Sequence, residues 1–230
     1  FKLGDVGLSV DDIAASGLGY ANLLYISTVI VELARAREAD LTLFLVEEPE
    51  AHLHPQLQML VLDFLRRQAQ ISKAREAAPG APEGRVQVIV TTHSPNLTAW
   101  VAPEHLVVVR SKWGEQEHAN ARQTVVVPIA ELGMSGASLR KISRYIDVTR
   151  YALLFGGRIL LVEGIAEALL LPPIAAAVLR DDAAALQRFR GAVLVPIEGV
   201  DFVPYVEVLL RSVNGARVAD RVVVLTDRDP

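Results

Sequence analysis

Three carboxylates stand where two apolar runs end. Glu163 closes residues 158–164 (RILLVEG), and Asp227 and Asp229 close residues 221–230 (RVVVLTDRDP). Side chains along a strand alternate between faces with a period of two, so Asp227 and Asp229 project to one side. Two same-facing carboxylates, with a glutamate ending a neighbouring strand, make an oxygen cage for a hard divalent cation such as Mg²⁺. The plain alternative is polar residues where strands meet solvent, and either run alone is compatible with it.

The elements between the two runs argue for the cage. The pattern predicts a strand over 158–162, a helix over about 165–180, a strand over 192–197, a helix over about 201–213 and a strand over 221–226. Such alternation implies a parallel sheet with right-handed crossovers. Ligands of parallel sheets sit at the carboxyl ends of the strands, where Glu163, Glu198, Asp227 and Asp229 fall. Pro172 and Pro173 are expected to kink or break the first of these helices.

A second group of acids lies in residues 41–50, LTLFLVEEPE. Residues 41–46 are an apolar run, expected as a strand buried on both faces of a sheet. It ends in Glu47 and Glu48, the placement by which nucleotide-hydrolysing sheets hold Mg²⁺ and position attacking water. Pro55 is suited to open a helix, which is expected to reach about residue 70 with Leu57, Leu60, Val61, Phe64 and Leu65 inward. A polar loop (71–85) and a strand (86–90) follow, then Thr91-Thr92-His93-Ser94-Pro95. His93 could contact a terminal phosphate, or be a structural histidine bonded to Ser94 or Thr92. Upstream, Ser16, Gly17 and Gly19 precede an apolar helical pattern (Leu23, Ile26, Ile30, Leu33). They suit either an anion site at a helix start or an ordinary N-cap and turn.

Residues 106–109 and 125–127 read as strands completing the sheet of the first half. Helical periodicity follows from Glu131, with Leu139, Ile142, Ile146 and Leu153 inward. Between positions 140 and 158 there are five basic residues (Arg140, Lys141, Arg144, Arg150, Arg158) against one acid, Asp147. This stretch is a candidate for phosphate-backbone contact, or else a solvated linking helix.

The chain has 230 residues with 51% hydrophobic and 22% charged, an ordinary α/β composition. A net charge of −4 requires any nucleic-acid contact to be local or metal-mediated. The absence of cysteine excludes disulfides and thiolate metal sites, and fits a reducing, cytoplasmic setting. No run reaches the length of a membrane span, so no membrane partner is expected. Starting at Phe1 and ending just after a carboxylate pair, the sequence reads as a fragment.

The series SGLGYAN, LFLVEEPEAHLHPQ and VIVTTHSP resembles the second half of an ABC-type ATPase head, in the branch that includes the OLD (overcoming lysogenization defect) family. Glu163-Gly164 and Asp227-x-Asp229, with LVEGIAEALLLP, resemble the Toprim domain of that family's nucleases. The fold implied is α/β: the C-terminal part of an ABC-type ATPase head (1–130), a helical linker (131–157) and the N-terminal part of a Rossmann-like parallel βαβ Toprim domain (158–230). Ser16, Gly17 and Gly19 resemble the signature motif, which contacts the nucleotide of a partner subunit. Glu47 and Glu48 resemble the Walker B acids, with Glu48 as catalytic base, and residues 50–54 the D-loop. His93 resembles the switch histidine.

Three departures stand out: Glu47 replaces the usual aspartate, the signature is incomplete, and no G-x-x-x-x-G-K-[ST] loop occurs in the chain. Either that loop lies upstream of Phe1, which is the expectation, or the ATPase is vestigial. The resemblance implies an ATPase-coupled DNA endonuclease in phage defence or DNA repair, using ATP with Mg²⁺ and a two-metal Mg²⁺ or Mn²⁺ centre. Glu163, Asp227 and Asp229 would be its principal ligands, with Glu167, one helical turn beyond Glu163, a further one. DNA would be the substrate, the heads would form a homodimer, and a helicase-type partner is compatible. The fragment alone would be inactive. The alternative is an ATP-dependent DNA clamp of SMC/RecF type with an inactive Toprim domain. A Toprim strand-transfer enzyme would need a nucleophilic tyrosine, and none of the five stands in such a context.

Overall fold

The computed structural model describes residues 2–3, 11–12, 18–35, 39–51, 53–113, 122–145 and 152–227. The chain divides into two compact units, Phe1–Trp100 and Val101–Pro230.

In the first unit a short pair, β1 (Lys2–Leu3) and β2 (Asp11–Asp12), is antiparallel. Helix α1 (Leu18–Arg35) puts Ile26 and Ile30 into a core shared with Val46, Leu53, Val61 and Leu65. Strands β3 (Leu41–Glu47) and β4 (Arg85–Thr91) are parallel, in register from Leu41↔Arg85 to Glu47↔Thr91. The expectation that β3 is buried on both faces fails on one side. Val46 is buried and Phe44 packs on the core, while Leu41, Leu43 and Leu45 are 55%, 50% and 66% exposed. Period two sends alternate residues to opposite faces, and among the described residues only one face is covered.

Helix α2 (Pro55–Lys73) begins at the predicted proline and runs three residues beyond the predicted end. Leu57, Val61, Phe64 and Leu65 do face the core, but Leu60 is exposed. It sits about 100° round the helix from Val61, at the edge of the stripe. Ser72 joins α2 to β4: its Oγ accepts the Val86 N–H at 2.9 Å and donates to the Ala69 carbonyl at 2.8 Å. Helix α3 (Pro95–Thr98) follows β4, capped by Ser94.

The second unit holds β5 (Val107–Trp113) and β6 (Arg122–Pro128), which pair antiparallel with each other. They were expected to extend the first unit's sheet. Instead Arg110 ties β5 within the second unit, donating to Asp220 Oδ2 and to the Val218 carbonyl, each at 2.7 Å. The helical stretch from Glu131 begins as a 3₁₀ turn (Ile129–Leu132) and becomes α4 (Gly136–Tyr145), with Ile142 buried. Ile146, Asp147 and Arg150 lie outside the described residues. Of the basic stretch, Lys141 pairs with Asp201, while Arg140 and Arg158 are exposed.

The strand order β11-β7-β8 is parallel throughout, with β7 (Arg158–Val162) in the centre, β8 (Val193–Pro196) on one side and β11 (Arg221–Leu225) on the other. Ile159, Leu161 and Val162 of β7 are buried, as a central strand requires. Helix α5 (Ile165–Val178) runs through Pro172 and Pro173 without ending. None of its residues is buried, so water can satisfy the carbonyls that the prolines leave without donors. Helix α6 (Ala183–Arg190) was not anticipated; Asp182 caps it by accepting the Ala185 N–H at 2.8 Å. Helix α7 (Val203–Leu210) ends before a hairpin of β9 (Ser212–Val213) and β10 (Ala216–Arg217). Its turn, Asn214-Gly215, has φ of 50° and 75°, the left-handed pair favoured in two-residue hairpins.

The approach to β7 is tight. A Cβ on Gly156 would lie 2.5 Å from Val193 Cγ2 and 3.0 Å from Ile159 Cδ1. Gly156→Ala is expected to lower stability by about 1–3 kcal/mol through overpacking, read from the urea unfolding midpoint. A change under about 0.5 kcal/mol would contradict this packing.

Candidate functional sites

In the first unit the acids sit where parallel pairing stops. Glu47 is the last residue of β3, opposite Thr91. Glu48 turns the chain at φ 42°, and its N–H still bonds the Thr91 carbonyl at 2.9 Å. A non-glycine residue in this region is uncommon, and it re-aims the side chain away from the strand's alternation. The result places Glu48 Oε1 3.2 Å from His93 Nε2, with these side chains 47% and 84% exposed. The two residues singled out as base and switch histidine therefore meet. The alternative in which His93 bonds Ser94 or Thr92 through its ring has no counterpart among the described hydrogen bonds; those residues engage the neighbouring backbone and side chains instead.

Glu50 Oε1 accepts the Thr92 hydroxyl and, at 3.0 Å, the His93 N–H. Thr92 Oγ1 accepts the Ser94 N–H at 2.9 Å, Ser94 Oγ donates to Gln58 Oε1 at 2.7 Å, and Gln58 Nε2 donates to the Leu53 carbonyl at 3.0 Å. Sequence reasoning placed Glu50 only within the D-loop-like stretch, weighed Thr92 only as a partner of His93, and did not single out Gln58. The only local signal was a third acid after the Glu47-Glu48 pair. Gly19 lies in the first turn of α1, while Ser16, Gly17 and His52 lie outside the described residues.

In the second unit Glu163 follows β7 and Asp227 follows β11, two adjacent parallel strands. Glu163 Oε1 accepts the Asp227 N–H at 2.8 Å and the Thr226 hydroxyl. Both bonds fall on one oxygen; among the described residues the other has none. Thr226 is a holder of Glu163 that the sequence reading missed, though it stands beside the Asp-x-Asp pair. Glu167 Oε2 accepts the Gly164 N–H at 3.0 Å, capping α5. No described bond joins Glu167 to Glu163 or Asp227. Glu198, at the end of β8, has φ 57°, and the adjacent Gly199 N–H bonds the Glu163 carbonyl at 3.1 Å. Asp229 lies outside the described residues.

The donors at these strand ends are all oxygens, which fits a hard divalent cation and not a soft one. Among the described residues, to which Asp229 does not belong, no three potential ligands come together. Also among the described residues, no helix is long and apolar enough to cross a membrane.

Comparison with known families matches residues 11–98 to an AAA ATPase domain and residues 154–229 to the Toprim domain of overcoming-lysogenization-defect-like proteins. This is the OLD-family ATPase–Toprim arrangement. The paired strands β5 and β6 and helix α4 fall between the two matched segments. No curated protein matches the chain. The OLD-family order points to a hydrolase, an ATPase-linked nuclease with DNA as the implied substrate. Domains of both kinds generally use divalent metal ions.

Proposed function

We propose that the protein is an ATPase-coupled, divalent-metal-dependent DNA endonuclease that nicks or cleaves phosphodiester bonds, serving phage defence or DNA repair in the cytoplasm. The observation that carries this reading is the meeting of Glu163 with Asp227 at the ends of adjacent parallel strands. Glu163, Asp227 and Asp229 are the proposed principal ligands of Mg²⁺ or Mn²⁺, with Glu167 nearby as a further carboxylate. Cations held there would supply a nucleophilic water at neutral pH and offset charge on the scissile phosphate and leaving 3′-oxygen. The chain's own part is to fix the acids: Thr226 and the Asp227 N–H orient Glu163, and Glu167 holds the turn that follows it.

At the ATPase end, Glu48 is the proposed base toward the attacking water and His93 its neighbour toward the terminal phosphate. Glu47 is the proposed Mg²⁺ contact for ATP. Ser16, Gly17 and Gly19 would approach the nucleotide of a partner head in a homodimer, and a helicase-type partner is compatible with this arrangement.

The test uses the full-length protein and supercoiled plasmid, with and without ATP. Nicked or linear product is expected with Mg²⁺ or Mn²⁺, and none with EDTA. Intact plasmid under both metals, alongside ATP-dependent dimerisation, would favour the clamp reading over the nuclease.

A further inference from the structure

The turn after β3 and the segment after β4 are joined by a closed ring of hydrogen bonds. Starting at Leu53, whose carbonyl takes the Gln58 amide at 3.0 Å, it passes from Gln58 to Ser94 at 2.7 Å and from the Ser94 N–H to Thr92 at 2.9 Å. Thr92 donates to Glu50, and the Leu53 N–H bonds the Glu50 carbonyl at 2.9 Å, which closes the ring. Glu50 is where the ring meets His93, since the same Oε1 accepts the His93 N–H at 3.0 Å. Glu50 Oε2 is buried without a hydrogen-bond partner among the described residues. Placing a carboxylate here therefore carries a desolvation cost, which a mere turn residue would not need to bear.

The imidazole of His93 is 84% exposed and its described contact is the 3.2 Å approach to Glu48. An exposed pair of this kind contributes little and cannot by itself hold a side chain in place. The reach of the ring to Glu48 is instead set by where the backbone of His93 is pinned, and Glu50 pins it.

We propose that Glu50 is a positioning residue: by accepting the His93 N–H and the Thr92 hydroxyl, it sets the His93–Glu48 geometry used in ATP hydrolysis. The proposal rests on the reading of Glu48 and His93 as members of the ATPase site. Glu50 need not touch ATP. Its removal lets the Thr92–His93 backbone drift, which should affect turnover far more than nucleotide binding.

The experiment is steady-state ATP hydrolysis by the full-length protein. Glu50→Ala is expected to lower kcat by about tenfold to a hundredfold, with KM for ATP within about threefold, because displacements near 1 Å carry penalties of that order. Glu50→Gln keeps an acceptor oxygen at the same reach and is expected to recover to within about threefold of the parent rate. Because Glu50 acts through His93, Glu50→Ala combined with His93→Ala should be no slower than His93→Ala alone. Where Glu50→Ala gives no cooperative melt, Glu50→Asp carries the test. It keeps the charge but retracts the oxygen by one methylene, and at least a tenfold lower kcat is expected.

Parent-like kcat in both Glu50→Ala and Glu50→Asp, a Gln variant as slow as the Ala variant, or losses that multiply with His93→Ala would overturn the proposal. Glu48→Gln serves as the reference. If it hydrolyses ATP undiminished, the reading of Glu48 and His93 as the hydrolytic pair is lost; if it is inactive while the Glu50 variants are normal, only the role of Glu50 falls.

Discussion

Asp227→Asn and Glu163→Gln in the full-length protein are each expected to abolish plasmid nicking, by about a thousandfold or more, while ATP hydrolysis stays within about threefold of the parent. Both substitutions keep the size of the side chain and remove its charge. An amide is a far poorer ligand for a hard cation than a carboxylate, and several kcal/mol of transition-state stabilisation depends on that cation. Glu163→Gln is the sharper variant, because its amide oxygen can still accept the Asp227 N–H, which Glu163 Oε1 receives at 2.8 Å. The strand ends should therefore stay together and the melting temperature should hardly move. Asp227 and Thr226 are also exposed, so water can replace lost bonds and any stability change should stay near 1 kcal/mol. Loss of nicking with an unaltered melt would identify a chemical defect. Full cleavage by the protein carrying both substitutions would end the reading of Glu163 and Asp227 as its metal centre.

Glu48→Gln is expected to lower ATP hydrolysis by about a hundredfold to ten-thousandfold while leaving ATP binding intact, the range associated with loss of a positioned general base. Glutamine can keep its side-chain oxygen near His93 Nε2, now 3.2 Å from Glu48 Oε1, but it cannot take a proton from water. The left-handed backbone at position 48 (φ 42°) is equally uncommon for both residue types, so the turn should be retained. Phosphate release and equilibrium binding of labelled ATP, measured on the same preparation, separate the two effects. A variant that binds and hydrolyses like the parent would mean that Glu48 faces no reacting water. The two halves also make independent forecasts: Glu48→Gln reports on the ATPase whether or not cleavage requires hydrolysis, and Asp227→Asn reports on cleavage alone.

The sites were legible to different depths. Acids at the ends of apolar runs are a local signal: Glu47 ends its strand, and Glu48, Glu163 and Asp227 follow theirs, as expected. The parallel sheet of the second unit was legible for the same reason, since strand and helix periods alternate within short windows. The bonds that hold the site residues join positions far apart in the chain: Glu50 to His93 across 43 residues, Glu163 to Asp227 across 64. No short window carries such pairings.

Leu60 and the proline pair mark the same boundary from the side of packing. A stripe of leucines predicts a buried face but not its width, and Leu60 fell outside it. Pro172 and Pro173 are helix breakers by local rule, yet α5 runs through them because its surroundings let water take the orphaned carbonyls. The β5–β6 strands read correctly as strands, but their affiliation was decided by Arg110 bonding Asp220 more than a hundred positions away. By itself, then, the sequence determined which residues could do chemistry and on which strand ends they stand, because residue type and period are local properties. Only the tertiary structure decided which oxygen accepts which donor, that His93 meets Glu48, and that Glu167 caps its own helix. Those outcomes depend on how distant segments pair and on which faces are left to water.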